Sequence, residues 1–190
     1  HTFSMDTYYW TSLNAALWTV AVEMQFYLVF PLLARAFGKR PALTVSLMTV
    51  AALVSRALAA TCAKELSLWV NQLPCMLDLY ALGMLAAHLL EKRAAARGRW
   101  VFLPLALLAL FGAFSVLWHQ SAAGDPDIKI AQLLWRLPLG ICGAAFLYFA
   151  GRAPESVDHV FGNRVVRFLS AISYNFYIWH QFLAVKFKEF

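Results

Sequence analysis

The stretch LWTVAVEMQFYLVFP, residues 17–31, places one carboxylate, Glu23, among residues that otherwise suit the interior of a bilayer. A second stretch, FLSAISYNFYIWHQFLAV at 168–185, places His180 in similar company. A carboxyl and an imidazole at comparable depth can relay a proton, take one from a substrate hydroxyl, or hold a polar substrate. Ionisable side chains inside a membrane span are costly. They face the bundle interior or a wet cavity, and by default they mark a functional site. The plainer alternatives are a hydrogen-bonded carboxyl that fixes helix packing at Glu23 and a satisfied structural donor at His180.

Helical periodicity sorts their neighbours. At 100° per residue, Asn14, Trp18 and Gln25 share one face, while Thr19, Glu23, Phe26, Tyr27 and Phe30 occupy the other side. No face is purely apolar, which predicts neighbours on most sides. Glu23 is about eleven residues into its span, roughly 16 Å deep by helical rise, so it is expected near the midplane. Ser170, Ser173, Tyr177, His180 and Gln181 share a face about 100° wide. Two further charges, Arg56 and Asp78, lie about seven and five residues in from the same side of the membrane. Their matched depth predicts a structural ion pair.

The elements that must position these groups are membrane spans. The chain has 190 residues, of which 62% are hydrophobic and 14% charged. Soluble domains are nearer half apolar and a quarter charged. The expected fold is therefore all-α, a polytopic membrane helix bundle with about six spans, near 12–34, 42–63, 73–90, 100–118, 132–150 and 167–187. Connectors rich in breakers and charge, such as FGKRP at 37–41 and EKRAAARGR at 91–99, separate them. There is no internal repeat or second domain, so residues 1–190 read as a single transmembrane domain.

Charge gives an orientation. The net charge is +6. In a membrane chain such an excess sets topology, and no nucleic-acid-binding motif accompanies it. Ten of the Lys and Arg residues fall on the connectors after spans one, three and five, against five on the other side. The richer side is expected in the cytoplasm, with residue 1 outside. The three cysteines form neither a metal box nor a disulfide framework, although Cys62 and Cys75 flank one short loop. Gly-rich phosphate loops, HExxH, CxxC and GxSxG are all absent, so no metal and no bound cofactor are expected.

SLNAALWTVAVEMQFYLVFPLL resembles the acyltransferase-3 family of integral membrane acyltransferases. The family run Trp-(Ser/Thr)-x-x-(Val/Ile)-Glu-x-Gln-Phe-Tyr-x-x-x-Pro is matched by Trp18, Thr19, Val22, Glu23, Gln25, Phe26, Tyr27 and Pro31. LSAISYNFYIWHQ is similar to the family's late motif, through Ser173, Tyr174, Tyr177 and His180. LPCMLDLYALGML resembles a third element, with Met76 where the family usually has Arg.

The resemblance implies transfer of an acyl group, often acetyl, from acyl-CoA to a hydroxyl of an extracytoplasmic glycan or lipid, in a bacterial cytoplasmic membrane. It also implies about ten spans in a complete domain. On that basis the chain reads as a C-terminal part lacking N-terminal helices and a final helix, inactive alone. By the same resemblance the base is an early His that has no counterpart here. Glu23 orients that base or holds substrate. Trp18, Gln25 and Tyr27 shape the pocket, and His180 and Tyr177 form its polar wall, so Glu23 and His180 are the candidate catalytic groups. Two rival readings use the same residues: a transporter or flippase-like bundle with a Glu/His relay, and a non-catalytic membrane subunit.

Overall fold

A computed structural model describes residues 17–62, 66–92, 99–122, 128–154, 156, 159, 163–173 and 175–176. Helices α1 (Leu17–Lys39) and α2 (Pro41–Cys62) are followed by a short α3 (Leu66–Val70) and a 3-10 turn (Leu73–Met76). Then come α4 (Leu77–Lys92), α5 (Phe102–Ala122) and α6 (Ile128–Ala150). Five segments are long and apolar enough to cross a membrane, and no strand occurs among the described residues. The expected sixth span lies largely outside those residues; 164–173 is helical.

The α1–α2 junction differs from expectation. FGKRP was expected to form a connector, but the helix continues through Lys39 and only Arg40 separates α1 from α2. The physical reason is Pro41. A residue before proline is pushed out of the helical region, whereas proline itself suits the first helical position. The Arg40 carbonyl then accepts both the backbone N–H and the hydroxyl of Thr44, each at 3.0 Å, which starts α2. The first apolar segment therefore runs on through Lys39.

Cross-helix contacts fix the directions. Phe26 stacks on Tyr80 and Phe37 meets His88 edge-on, so α1 and α4 run parallel. Gly140 packs against Leu79 and Leu82, and Gly151 against Leu90, so α6 runs parallel to α4 as well. Phe102 stacks on Phe149 and His119 on Trp135, so α5 runs opposite to α6. Arg56 near the end of α2 meets Asp78 at the start of α4, so α2 and α4 are antiparallel. These directions gather Lys39, Arg40, Lys92, Arg99 and Arg152 at one end of the bundle, the basic end. The α3 segment, Asp78 and His119 lie toward the other. Trp100 is exposed at the basic end, and Trp69 and Trp118 at the opposite end, as interfacial aromatics require.

α4 is the hub and touches α1, α2 and α6. Val22, Phe26 and Leu73 form an apolar cluster, with Leu33, Met76, Leu77, Tyr80 and Met84 packed around it. α1, expected to have neighbours on most sides, is covered on one side among the described residues. Leu28 is 81% and Tyr27 60% exposed. In a bilayer an apolar outward face is solvated by lipid tails, so its residue types place no demand for a protein neighbour.

Candidate active site

Two polar centres flank α4. Residues two apart on a helix point about 200° from each other, so Asp78 and Tyr80 look in opposite directions. Asp78 faces α2, and Tyr80 faces α1.

On the α2 side, Arg56 Nη2 donates to Asp78 Oδ1 at 2.6 Å, with side chains 4% and 0% exposed. Arg56 Nε donates to the Cys75 carbonyl at 2.9 Å, and the Leu79 N–H donates to Asp78 Oδ1 at 3.0 Å. Arg56 Nη1 and Asp78 Oδ2 are buried without a hydrogen-bond partner. Arg136 of α6 reaches the same region. Its Nη1 donates to the Val70 carbonyl, and its Nη2 donates to Asn71 Oδ1 at 2.6 Å. Arg136 lies near the start of α6, yet it is buried.

These arginines serve an interruption in the backbone. The chain leaves helical geometry between α3 and the 3-10 turn, where Gln72 is extended with φ −89° and ψ 156°. Pro74 enforces the break, because it carries no N–H to continue a helical ladder. Non-helical backbone near membrane depth needs internal partners for its carbonyls. Arg136 supplies one at Val70 and Arg56 another at Cys75. The two arginines and Asp78 therefore form a clamp that pins α3, the turn and the start of α4 to α2 and α6.

On the α1 side the arrangement is open. Glu23 is half-buried and makes no ion pair among the described residues. Phe26 and Tyr80 stack with centroids 3.8 Å apart and planes at 13°, which fixes the Tyr80 ring. Glu23 and Tyr27 both lie within electrostatic reach of Tyr80. Gln25 is half-buried, whereas Tyr27 is exposed. A carboxylate near a phenol, with no cation paired to it among the described residues, can accept a hydrogen bond from a substrate or from a neighbouring base.

The other predicted site residues are not all visible. Tyr177 and His180 lie outside the described residues, as does the side chain of Trp18, whose backbone is in α1. Among the described residues no group of three or more His, Cys, Asp and Glu could hold a metal. Cys62, Cys75 and Cys142 are free thiols, with Cys62 exposed and Cys75 buried. Sequence reasoning missed Tyr80. Its signal was its place two residues after Asp78, which turns it to the other face of the same helix.

The sequence profile of the acyltransferase-3 family, described as an acyltransferase domain, matches residues 1–190. No curated protein and no solved structure matches the chain.

Proposed function

The chain belongs to the acyltransferase-3 family of membrane acyltransferases, and from that premise we propose that it moves an acyl group, acetyl by preference, from acyl-CoA to a hydroxyl of an extracytoplasmic glycan or lipid. The acceptor oxygen attacks the thioester carbonyl. A C–O bond forms, the C–S bond breaks, a base takes the hydroxyl proton, and the thiolate leaves to be protonated. Glu23 orients that base or holds the acceptor. Tyr80, with its ring fixed against Phe26, offers a hydroxyl beside it. Gln25, on the other face of α1, and Trp18, Tyr27, Tyr177 and His180 complete the proposed set. In a low-dielectric site, a donor aimed at the developing oxyanion acts far more strongly than it does in water.

The observation that carries this reading is the half-buried Glu23, without a cationic partner among the described residues, inside the motif that the family match covers. The excess of Lys and Arg at one end supports an orientation with that end in the cytoplasm of a bacterium, where acyl-CoA is supplied.

The test uses native membranes containing the full protein and radiolabelled acetyl-CoA. Label is expected in a glycan or lipid fraction, and Glu23→Gln is expected to abolish it while the protein remains inserted at the same level. Proton-coupled solute flux without any acylated product would overturn the proposal.

A further inference from the structure

Attack on a thioester carbonyl puts negative charge on its oxygen, and a site that speeds the reaction aims a hydrogen-bond donor at that oxygen. Backbone N–H groups serve this purpose in many folds. Inside a helix, however, they are engaged by the carbonyls four residues earlier. Glu23 stands within α1, and Tyr80 across from it stands within α4. Near Glu23, therefore, a side chain is the donor available. Two phenols lie there, Tyr27 and Tyr80.

The two are held differently. The Tyr27 ring is tilted 52° from that of Phe26, with centroids 6.4 Å apart, and the residue is exposed. The Tyr80 ring lies nearly flat on Phe26, at 3.8 Å and 13°. Phe26 is backed in turn. It is 7% exposed and packs with Val22, one turn earlier on α1, and with Leu73 of the 3-10 turn. Phe30, one turn later, meets its ring at 5.4 Å. A phenol stacked on so firm a support keeps its plane, as a preorganised donor requires. Glu23 comes three residues before Phe26 and is its neighbour on the surface of α1. It also lies within electrostatic reach of Tyr80. Tyr80 is half-buried, as Glu23 is, so both keep surface that a substrate can meet; fully buried Asp78 does not.

We propose that Tyr80 donates the hydrogen bond that stabilises the oxyanion of the acyl-transfer step, and that Phe26 is the positioning residue that orients it. This rests on the acyl-transfer reading above. The acceptor oxygen bonds to the carbonyl carbon while the base oriented by Glu23 takes its proton, and the carbonyl π electrons move onto the carbonyl oxygen. Tyr80 donates to that oxygen and keeps its own proton. The electron pair then returns, the C–S bond breaks, and CoA leaves as its thiolate. Nucleophile and oxyanion are attached to one carbon, so the base and the donor belong in one neighbourhood, which Glu23 and Tyr80 share.

The experiment measures kcat and KM for radiolabelled acetyl-CoA in native membranes containing the full protein, with variants at matched amounts. Tyr80→Phe keeps the ring and its stack and removes only the hydroxyl. It is expected to lower kcat roughly hundredfold, the value of one oxyanion donor, with KM within about twofold. Phe26→Leu frees the ring and is expected to lower kcat roughly tenfold, a part of that value. In the Tyr80→Phe background the same change is expected to cost less than about threefold, because the hydroxyl it positions is gone. A merely structural Phe26 would cost the same in both backgrounds. Phe26→Met, which also removes the flat face, decides the matter if Phe26→Leu does not insert. Leu28→Ala, on the outward face of α1, is expected to leave kcat within about twofold. Effects of Phe26 and Tyr80 that multiply in full would overturn the positioning role. Label lost in Glu23→Gln but kept at the wild-type rate in Tyr80→Phe would remove the donor and leave the acyl-transfer reading standing. No label from the wild type would remove both.

Discussion

Asp78 and Glu23 are both carboxylates set among apolar helices, on either side of α4. Asp78 is fully buried and gripped by an arginine and a backbone N–H. Glu23 is half-buried, beside a phenol and without a cation among the described residues. The difference separates two uses of the same functional group. A dry carboxylate whose charge is matched inside the protein holds helices in register. One left partly open, with acceptor lone pairs unspent, is available to something that arrives. Depth alone does not distinguish them; the partners do.

The sharpest way to break this comparison is to truncate each acid. Asp78→Ala strands Arg56 in the bundle and is expected to cost about 3–5 kcal/mol of stability. Glu23→Ala is expected to cost less than about 1 kcal/mol while removing activity. Denaturant titration in detergent, read by tryptophan fluorescence, measures both. If Glu23→Ala proves the more damaging to stability, the division of roles fails.

A smaller effect sharpens the structural half. Arg56→Met with Asp78→Leu removes both charges together and is expected to recover most of the single-mutant loss, to within about 2 kcal/mol of the wild type. A double mutant no better than the worse single mutant would remove the pair from the account. Recovery is expected to be incomplete, because the Cys75 carbonyl also loses Arg56 Nε.

The smallest expected effect concerns how α6 is seated against the hub. A methyl at Gly140 would meet Leu79 Cδ2 at 2.7 Å and Leu82 Cδ1 at 3.0 Å. Both atoms end flexible side chains, so Gly140→Ala is expected to cost only about 1 kcal/mol. Gly140→Leu would push α6 from α4 and loosen Arg136 from Val70. Unfolding midpoints of the two variants should differ in that order.

The sequence made much of this legible. Apolar run length located the spans, because the thickness of hydrocarbon dictates helix length. The depths of Arg56 and Asp78, counted from a common connector, placed them opposite each other. Other features depended on local chemistry that hydropathy does not register. FGKRP reads as a connector, whereas the helix runs on through Lys39 and breaks only at Arg40, ahead of Pro41. Arg136 and Arg152 lie near span ends, where such residues normally reach water. What recruits Arg136 inward is a backbone break 65 positions earlier in the chain, at Asn71. What encloses Arg152 is a ring pair drawn from α5 and α6. Neither partner is close enough in sequence to be read from a run. Tyr177 and His180 lie outside the described residues, so the late motif stands as a sequence expectation.

The clamp also constrains how the protein is made. Arg56 leaves the ribosome 22 residues before Asp78, and Val70 leaves 66 residues before Arg136. An arginine within a lone helix costs up to about 2.5–3.5 kcal/mol to place in lipid, the upper figure applying at its centre. α2 therefore gains from being held at the insertion machinery until α4 arrives to neutralise it. The carbonyl at Val70 waits longer still, for α6. Helices that each look ready to enter the bilayer in turn thus gain from entering as a group, with α6 latching the earlier ones.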